Sequence, residues 1–141
     1  MIYLDTSAFI KLYIREADSD LVNRAVTGQD DPLPFWLLHR VEMRNALRLK
    51  VFRGELENAQ VDGLVRLIED RLQSGFYFTP ELGIGDLTEF AIRFTEHTPD
   101  LGCRSLDILH VAVAKLIGAA RFMTFDDRQE ALARKVGLVL Q

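Results

Sequence analysis

Twice in this chain a short apolar run stops on a carboxylate and passes directly into a helix-capping sequence. Ile2-Tyr3-Leu4 ends at Asp5, ahead of Thr6 and Ser7, and Arg121-Phe122-Met123-Thr124-Phe125 ends at Asp126. Apolar runs of this length bounded by polar residues read as strands, and a hydroxyl pair just beyond suits the start of a helix. In an open α/β sheet the carboxyl ends of the strands face the crevice where ligands bind. Two strand-end acids near opposite ends of a 141-residue chain therefore predict a parallel sheet that gathers them at one acidic site, suited to a divalent metal.

The rest of the pattern supports that sheet. Strands are predicted over 2–5, 33–36, 76–79, 121–125 and 138–140. Helices are predicted over 7–14, 19–27, 38–52, 57–73, 85–97, 106–117 and 127–136, with Gly28 and Gly54 as stop signals. Alternation of this kind gives an α/β class, a three-layer α/β/α sandwich whose central, mainly parallel sheet has about five short strands with helices on both faces. The length suits one domain over 1–141.

Charge narrows the function. With 21 Asp and Glu against 17 Lys and Arg, a net −4 does not hold nucleic acid by bulk positive charge. A nucleic-acid enzyme stays open, because bound cations invert the local potential at an acidic site. The single cysteine, Cys103, excludes an internal disulfide and a thiolate zinc site and fits a reducing compartment. No signal sequence and no run approaching the roughly 20 apolar residues of a membrane span is legible, so the expectation is a cytoplasmic domain with no membrane contact.

Four acids stand out, each with a structural alternative. Asp5 also suits a helix N-terminus by its charge, although Thr6 and Ser7 are available to cap. Glu42 falls on a face written by Leu38, Val41, Asn45, Leu49 and Phe52 at helical spacing. A carboxylate in an apolar seam is costly unless paired, protonated or metal-bound. Asp107 lies in the first turn of an apolar helix, after Ser105 as the expected cap, where dipole effects alone would welcome it. Asp126 and Asp127 compete for the same two roles, cap and ligand, because Asp126 with Gln129 or Asp127 with Glu130 makes a capping box. Asp126, at the strand end, is the expected ligand and Asp127 the expected cap. Converging carboxylates repel one another, and Mg²⁺ or Mn²⁺ is the usual solution.

In order along the chain, Tyr3-Leu4-Asp5-Thr6-Ser7-Ala8-Phe9, Glu42 with Asn45-Ala46-Leu47, Leu106-Asp107-Ile108-Leu109-His110-Val111-Ala112-Val113-Ala114, and Met123-Thr124-Phe125-Asp126 resemble the PIN-domain ribonucleases, above all VapC toxins. The resemblance implies that Asp5, Glu42, Asp107 and Asp126 surround one or two Mg²⁺ or Mn²⁺ ions, with Thr6, Ser7 and Thr124 in support. It also implies hydrolysis of RNA to 3′-hydroxyl and 5′-phosphate ends, a cognate antitoxin that covers the cleft, and a homodimer. Arg104 and Lys11 are the expected phosphate contacts. His110, flanked by Leu109 and Val111, reads as a packed core histidine rather than a base.

Other classes remain open at this point. They are a PIN-like RNA-processing nuclease that is not a toxin and a catalytically silent binding module for RNA or protein. A third is a phosphatase of the haloacid dehalogenase type, which wants a second Asp where Ser7 stands.

Overall fold

The computed structural model describes residues 1–141. The elements run β1 (Ile2–Leu4), α1 (Thr6–Phe9) with a 3₁₀ turn (Ile10–Leu12), α2 (Ser19–Thr27), β2 (Leu33–Pro34), α3 (Leu37–Phe52) and α4 (Asn58–Gln73). Then come β3 (Tyr77–Phe78), α5 (Ile84–Thr95), α6 (Thr98–Leu101), α7 (Ser105–Leu116), β4 (Arg121–Met123) and α8 (Asp127–Lys135). No helix is long and apolar enough to cross a membrane.

β1 and β4 pair in parallel, with Ile2, Tyr3 and Leu4 opposite Arg121, Phe122 and Met123. This pairing carries the two strand-end acids to the same edge, as the sequence required. β2 and β3 form a second parallel pair. The ladder is shorter than the expected five strands. Pro34 has no N–H to give to a neighbouring strand, so β2 lies beside β1 without joining its ladder. The expected last strand is reduced to one bridge between Leu140 and Phe122.

The pleat divides the core. Ile2, Leu4 and Met123 point into one apolar cluster with α2, α3 and α4, including Val22, Met43, Leu47, Val61 and Ile68. Tyr3 and Phe122 point the other way and stack at 5.6 Å over α5, α7 and α8. Successive side chains of a strand face opposite sides, so a three-residue strand suffices to sign both layers. Leu47 is fully buried in the first cluster. Its replacement by Ala is expected to cost about 2–5 kcal/mol, read as a shift in chemical denaturation at unchanged slope; a cost below about 1 kcal/mol would contradict its core position.

The apolar face predicted for α3 is rotated. Leu38, His39, Met43 and Leu47 are buried, whereas Val41 and Phe52 are 58% and 88% exposed. Contact with β1 and the first cluster, not apolar character, selects the inward face. Glu42 sits at its edge, half-buried. On the other side of α3, Arg40 and Arg44 reach Glu69 on α4 at 3.0 and 2.6 Å.

Three start signals also differ. Asp5 itself caps α1 through the Ala8 N–H. Ser105 is the first residue of α7 rather than its cap; the cap residue is Arg104, whose N–H donates to Asp107 Oδ2 at 3.0 Å. Asp126, not Asp127, caps α8. The stretch 98–102, between the helices expected over 85–97 and 106–117, contains the short helix α6, closed by Gly102 at a positive φ of 64°.

Candidate active site

Asp5 leaves β1 with its N–H bonded to the Met123 carbonyl at 3.0 Å, the last rung of the β1–β4 pair. Its carboxylate is buried, 4% exposed. It accepts from the Ala8 N–H at 2.9 Å, from Ser7 Oγ at 2.7 Å and from Thr124 Oγ1 at 2.9 Å. Burial pushes its pKa up, and the hydrogen bonds from Ser7, Ala8 and Thr124 only partly offset that.

The two hydroxyls tie Asp5 to the loop that carries Asp126. Ser7 Oγ accepts the Phe125 N–H at 2.8 Å, and Thr124 Oγ1 accepts the Asp126 N–H at 3.0 Å. Asp126 divides its oxygens: Oδ1 takes the Arg128 and Gln129 N–H groups as a helix cap, both at 3.0 Å. Oδ2 faces the Arg104 guanidinium at 2.9 Å. Cap and site acid are thus one residue, while Asp127 stands exposed at the first position of α8. Thr124→Val keeps the shape but removes both bonds of this hydroxyl, leaving the Asp126 N–H unpaired and Asp5 Oδ2 with only the shared Ser7 hydroxyl at 3.0 Å. A loss of about 1–3 kcal/mol is expected in denaturation; an unchanged midpoint would contradict the bridge.

Asp107, 7% exposed on the first turn of α7, meets Arg104 Nε at 3.1 Å. Arg104, its side chain 67% exposed, therefore spans Asp107 and Asp126, and the bond to Asp107 leads in raising its already high pKa. Glu42 extends from α3, its Oε2 accepting from Thr6 Oγ1 at 2.5 Å and meeting His110 Nε2 at 2.7 Å. Burial works to raise the Glu42 pKa, but the hydrogen bonds from His110 and then Thr6 outweigh it and hold the carboxyl below its ordinary value.

The four acids come from four elements: hydrogen bonds link Asp5 to Asp126 through Thr124 and Asp126 to Asp107 through Arg104, while Glu42 bonds to His110, one helical turn beyond Asp107 on α7. A crevice of about 360 Å³ lined by Arg104, Phe125, Asp126, Asp127 and Arg128 opens beside them. Lys11 does not join this cluster. Its ammonium donates to the Ala17 carbonyl at 2.8 Å and lies 4.6 Å from the Phe125 ring.

His110 is buried, as a core histidine should be, yet both ring nitrogens are hydrogen-bonded and one touches a site acid. Sequence reasoning missed this, along with Tyr3 and Trp36 behind it. The available signal was that a buried Tyr or Trp needs a partner for its polar tip.

A parallel α/β domain that collects carboxylates at the carboxyl end of its β1–β4 pair defines a class of small acidic-site domains. The PIN domain model matches residues 2–135. Ribonuclease VapC47 of Mycobacterium tuberculosis is 31% identical over 144 residues, covering 99% of this chain and 94% of that protein. Ribonuclease VapC46 of the same species is 30% identical, covering 99% and 95%. The solved structure of Mycobacterium tuberculosis VapC20, described as a sarcin-ricin loop cleaving toxin, superposes with a TM-score of 0.73 at 16% identity, covering 99% of this chain and 97% of that one. VapBC-1 of nontypeable Haemophilus influenzae gives 0.68 at 16%, covering 100% and 97%. The chain belongs to the PIN-domain family, in its VapC ribonuclease branch.

Proposed function

We propose that this chain is a metal-dependent endoribonuclease, the cytoplasmic toxin of a toxin–antitoxin pair, working as a single domain over 1–141. The observation that supports the reading is the hydrogen-bonded set Asp5, Asp126 and Asp107 at the end of the β1–β4 pair, with Glu42 held beside it through His110 of α7. Its donors are all carboxylate or hydroxyl oxygens, which suits Mg²⁺ or Mn²⁺. The guanidinium of Arg104 between Asp107 and Asp126 marks where positive charge is favoured. Asp5, Glu42, Asp107 and Asp126 would hold the metal, with Ser7 and Thr124 orienting Asp5 and Thr6 orienting Glu42. Such an ion supplies positive charge against the phosphodiester and makes water a competent nucleophile near neutral pH.

The chain's own groups do the rest. Asp5, buried and fixed by three donors, cannot swing away. Arg104, 67% exposed by its side chain, is free to exchange its carboxylates for a phosphate of the substrate. Lys11 lies beside Phe125 with its ammonium on the Ala17 carbonyl and Glu16, and would meet a second phosphate by releasing them. Leu37 and Val41 on α3, 68% and 58% exposed, offer an apolar surface for a homodimer. The VapC relatives support a cognate antitoxin over the acidic crevice.

The test is expression of the wild type and of Asp5→Asn in a bacterial host, with total RNA sequenced for new 5′ ends. Discrete new 5′-phosphate ends and growth arrest from the wild type alone are expected. Arrest and ends from both would overturn the reading, and ends without arrest would point to RNA processing instead.

A further inference from the structure

Behind Glu42 runs a buried hydrogen-bond chain whose direction can be deduced. Trp36 Nε1 lies 2.7 Å from Tyr3 Oη, Tyr3 Oη lies 2.7 Å from His110 Nδ1, and His110 Nε2 lies 2.7 Å from Glu42 Oε2. Tyr3 and His110 are 0% and 2% exposed, so water does not substitute for any partner. An indole N–H only donates. Tyr3 Oη therefore accepts from Trp36 and has one proton left, which goes to His110 Nδ1. With its lone pair used there, His110 carries its proton on Nε2, directed at Glu42 Oε2.

The neighbouring ring cannot disturb this. His39 stands 5.0 Å from His110, and both its nitrogens are committed. Nε2 donates to the Leu4 carbonyl at 2.8 Å, and Nδ1 accepts the Trp36 N–H at 3.2 Å. Trp36 thus sets both histidines, one by its backbone and one by its indole.

We propose that Trp36, Tyr3 and His110 form a one-way relay that fixes His110 as the Nε2–H tautomer and so holds Glu42 by Oε2, leaving Oε1 for a cation or substrate. The relay makes His110 a positioning residue, not the base. Thr6 donates to the same oxygen, so both fixed donors grip one side of the carboxylate. The proposal rests on the nuclease reading only for the role of Glu42; the tautomer stands apart from it. In metal sites, supporting partners of this kind are typically worth about 10- to 100-fold in activity or metal affinity.

The test has a spectroscopic and a kinetic arm. In ¹⁵N-histidine-labelled protein, with the His110 signals assigned by their loss in His110→Asn, Nε2 is expected to be protonated and Nδ1 bare. Tyr3→Phe is expected to give a mixture of tautomers. A wild-type proton on Nδ1, or on both nitrogens, would overturn the relay whether or not the protein cuts RNA. In cleavage assays, His110→Gln places an amide N–H near the lost Nε2 and is expected to keep most activity, while His110→Asn loses about 10- to 100-fold. Equal activity of the two, at matched melting temperatures, would mean that His110 only packs or is itself the base, and would also overturn the proposal. Should either variant fail to fold, Tyr3→Phe decides. If the wild type cleaves no RNA, the nuclease reading fails while the tautomer measurement still decides the relay.

Discussion

Asp5→Asn is expected to lose RNA cleavage by more than the ~10–100-fold that removal of a supporting partner costs, with the fold retained. The amide has the shape of the carboxylate, and its oxygen still accepts from Ala8 and Ser7. The side facing Thr124 changes from acceptor to donor, so one hydrogen bond must reverse, a change of about 1–2 kcal/mol at most. What the amide lacks is charge, and a neutral oxygen binds a hard cation poorly. Asp126→Asn should behave alike, because Asn caps a helix about as well as Asp does and the Arg128 and Gln129 N–H groups keep their acceptor. Cleavage assays beside chemical denaturation separate the two effects. Both variants staying within about tenfold of wild type, or both unfolding, would contradict the roles given to these acids.

The second large effect is on stability. Burial makes the Asp5 anion costly, which shows as its raised pKa. Between the ordinary value of 3.8 and the raised folded value, the folded chain keeps a proton that the unfolded chain has released. In chelator, the Asp5 contribution therefore falls as pH rises through that window, and its full cost is present above it. Glu42 has the opposite sign: held below its ordinary value, it contributes stability at neutral pH that is lost as pH falls. The difference between wild type and Asp5→Asn isolates the first slope. A divalent cation bound only by the folded chain should remove the cost and add about 2.7 kcal/mol at a concentration one hundred times its Kd. Thermal melting with Mg²⁺ or Mn²⁺ against chelator reads this directly. A rise for wild type and none for Asp5→Asn is expected; equal rises would place the cation elsewhere.

Much of this was visible in the residues, and the exceptions have physical causes. Asp5 and Asp126 can be found because a strand that ends on an acid is a local pattern; the pairing of β1 with β4 is a strand order that the parallel class alone does not give. Helix α2 was bounded correctly at both ends by Ser19 and Gly28. The inward face of α3 differs from the expected one because Val41, Leu49 and Phe52 are apolar at helical spacing yet face outward, a choice made by contact with β1 that no window on α3 contains. The expected division of cap and ligand between Asp127 and Asp126 fails because the two oxygens of Asp126 serve both roles, Oδ1 as cap and Oδ2 toward Arg104. Partners distant in sequence were invisible for the same reason. His110 meets Glu42 across 68 positions, and Arg104 meets Asp126 across 22.

One measurement bears most directly on a metal-dependent hydrolase built from four carboxylates: the end chemistry of RNA cut by the purified protein, with Mg²⁺ or Mn²⁺ and with chelator. Cleavage that stops in chelator, returns with the cation and leaves 5′-phosphate and 3′-hydroxyl ends is the expected result. Cleavage that persists in chelator and leaves cyclic 2′,3′-phosphate ends would contradict it, because that chemistry uses the ribose hydroxyl and needs neither the cation nor the four acids.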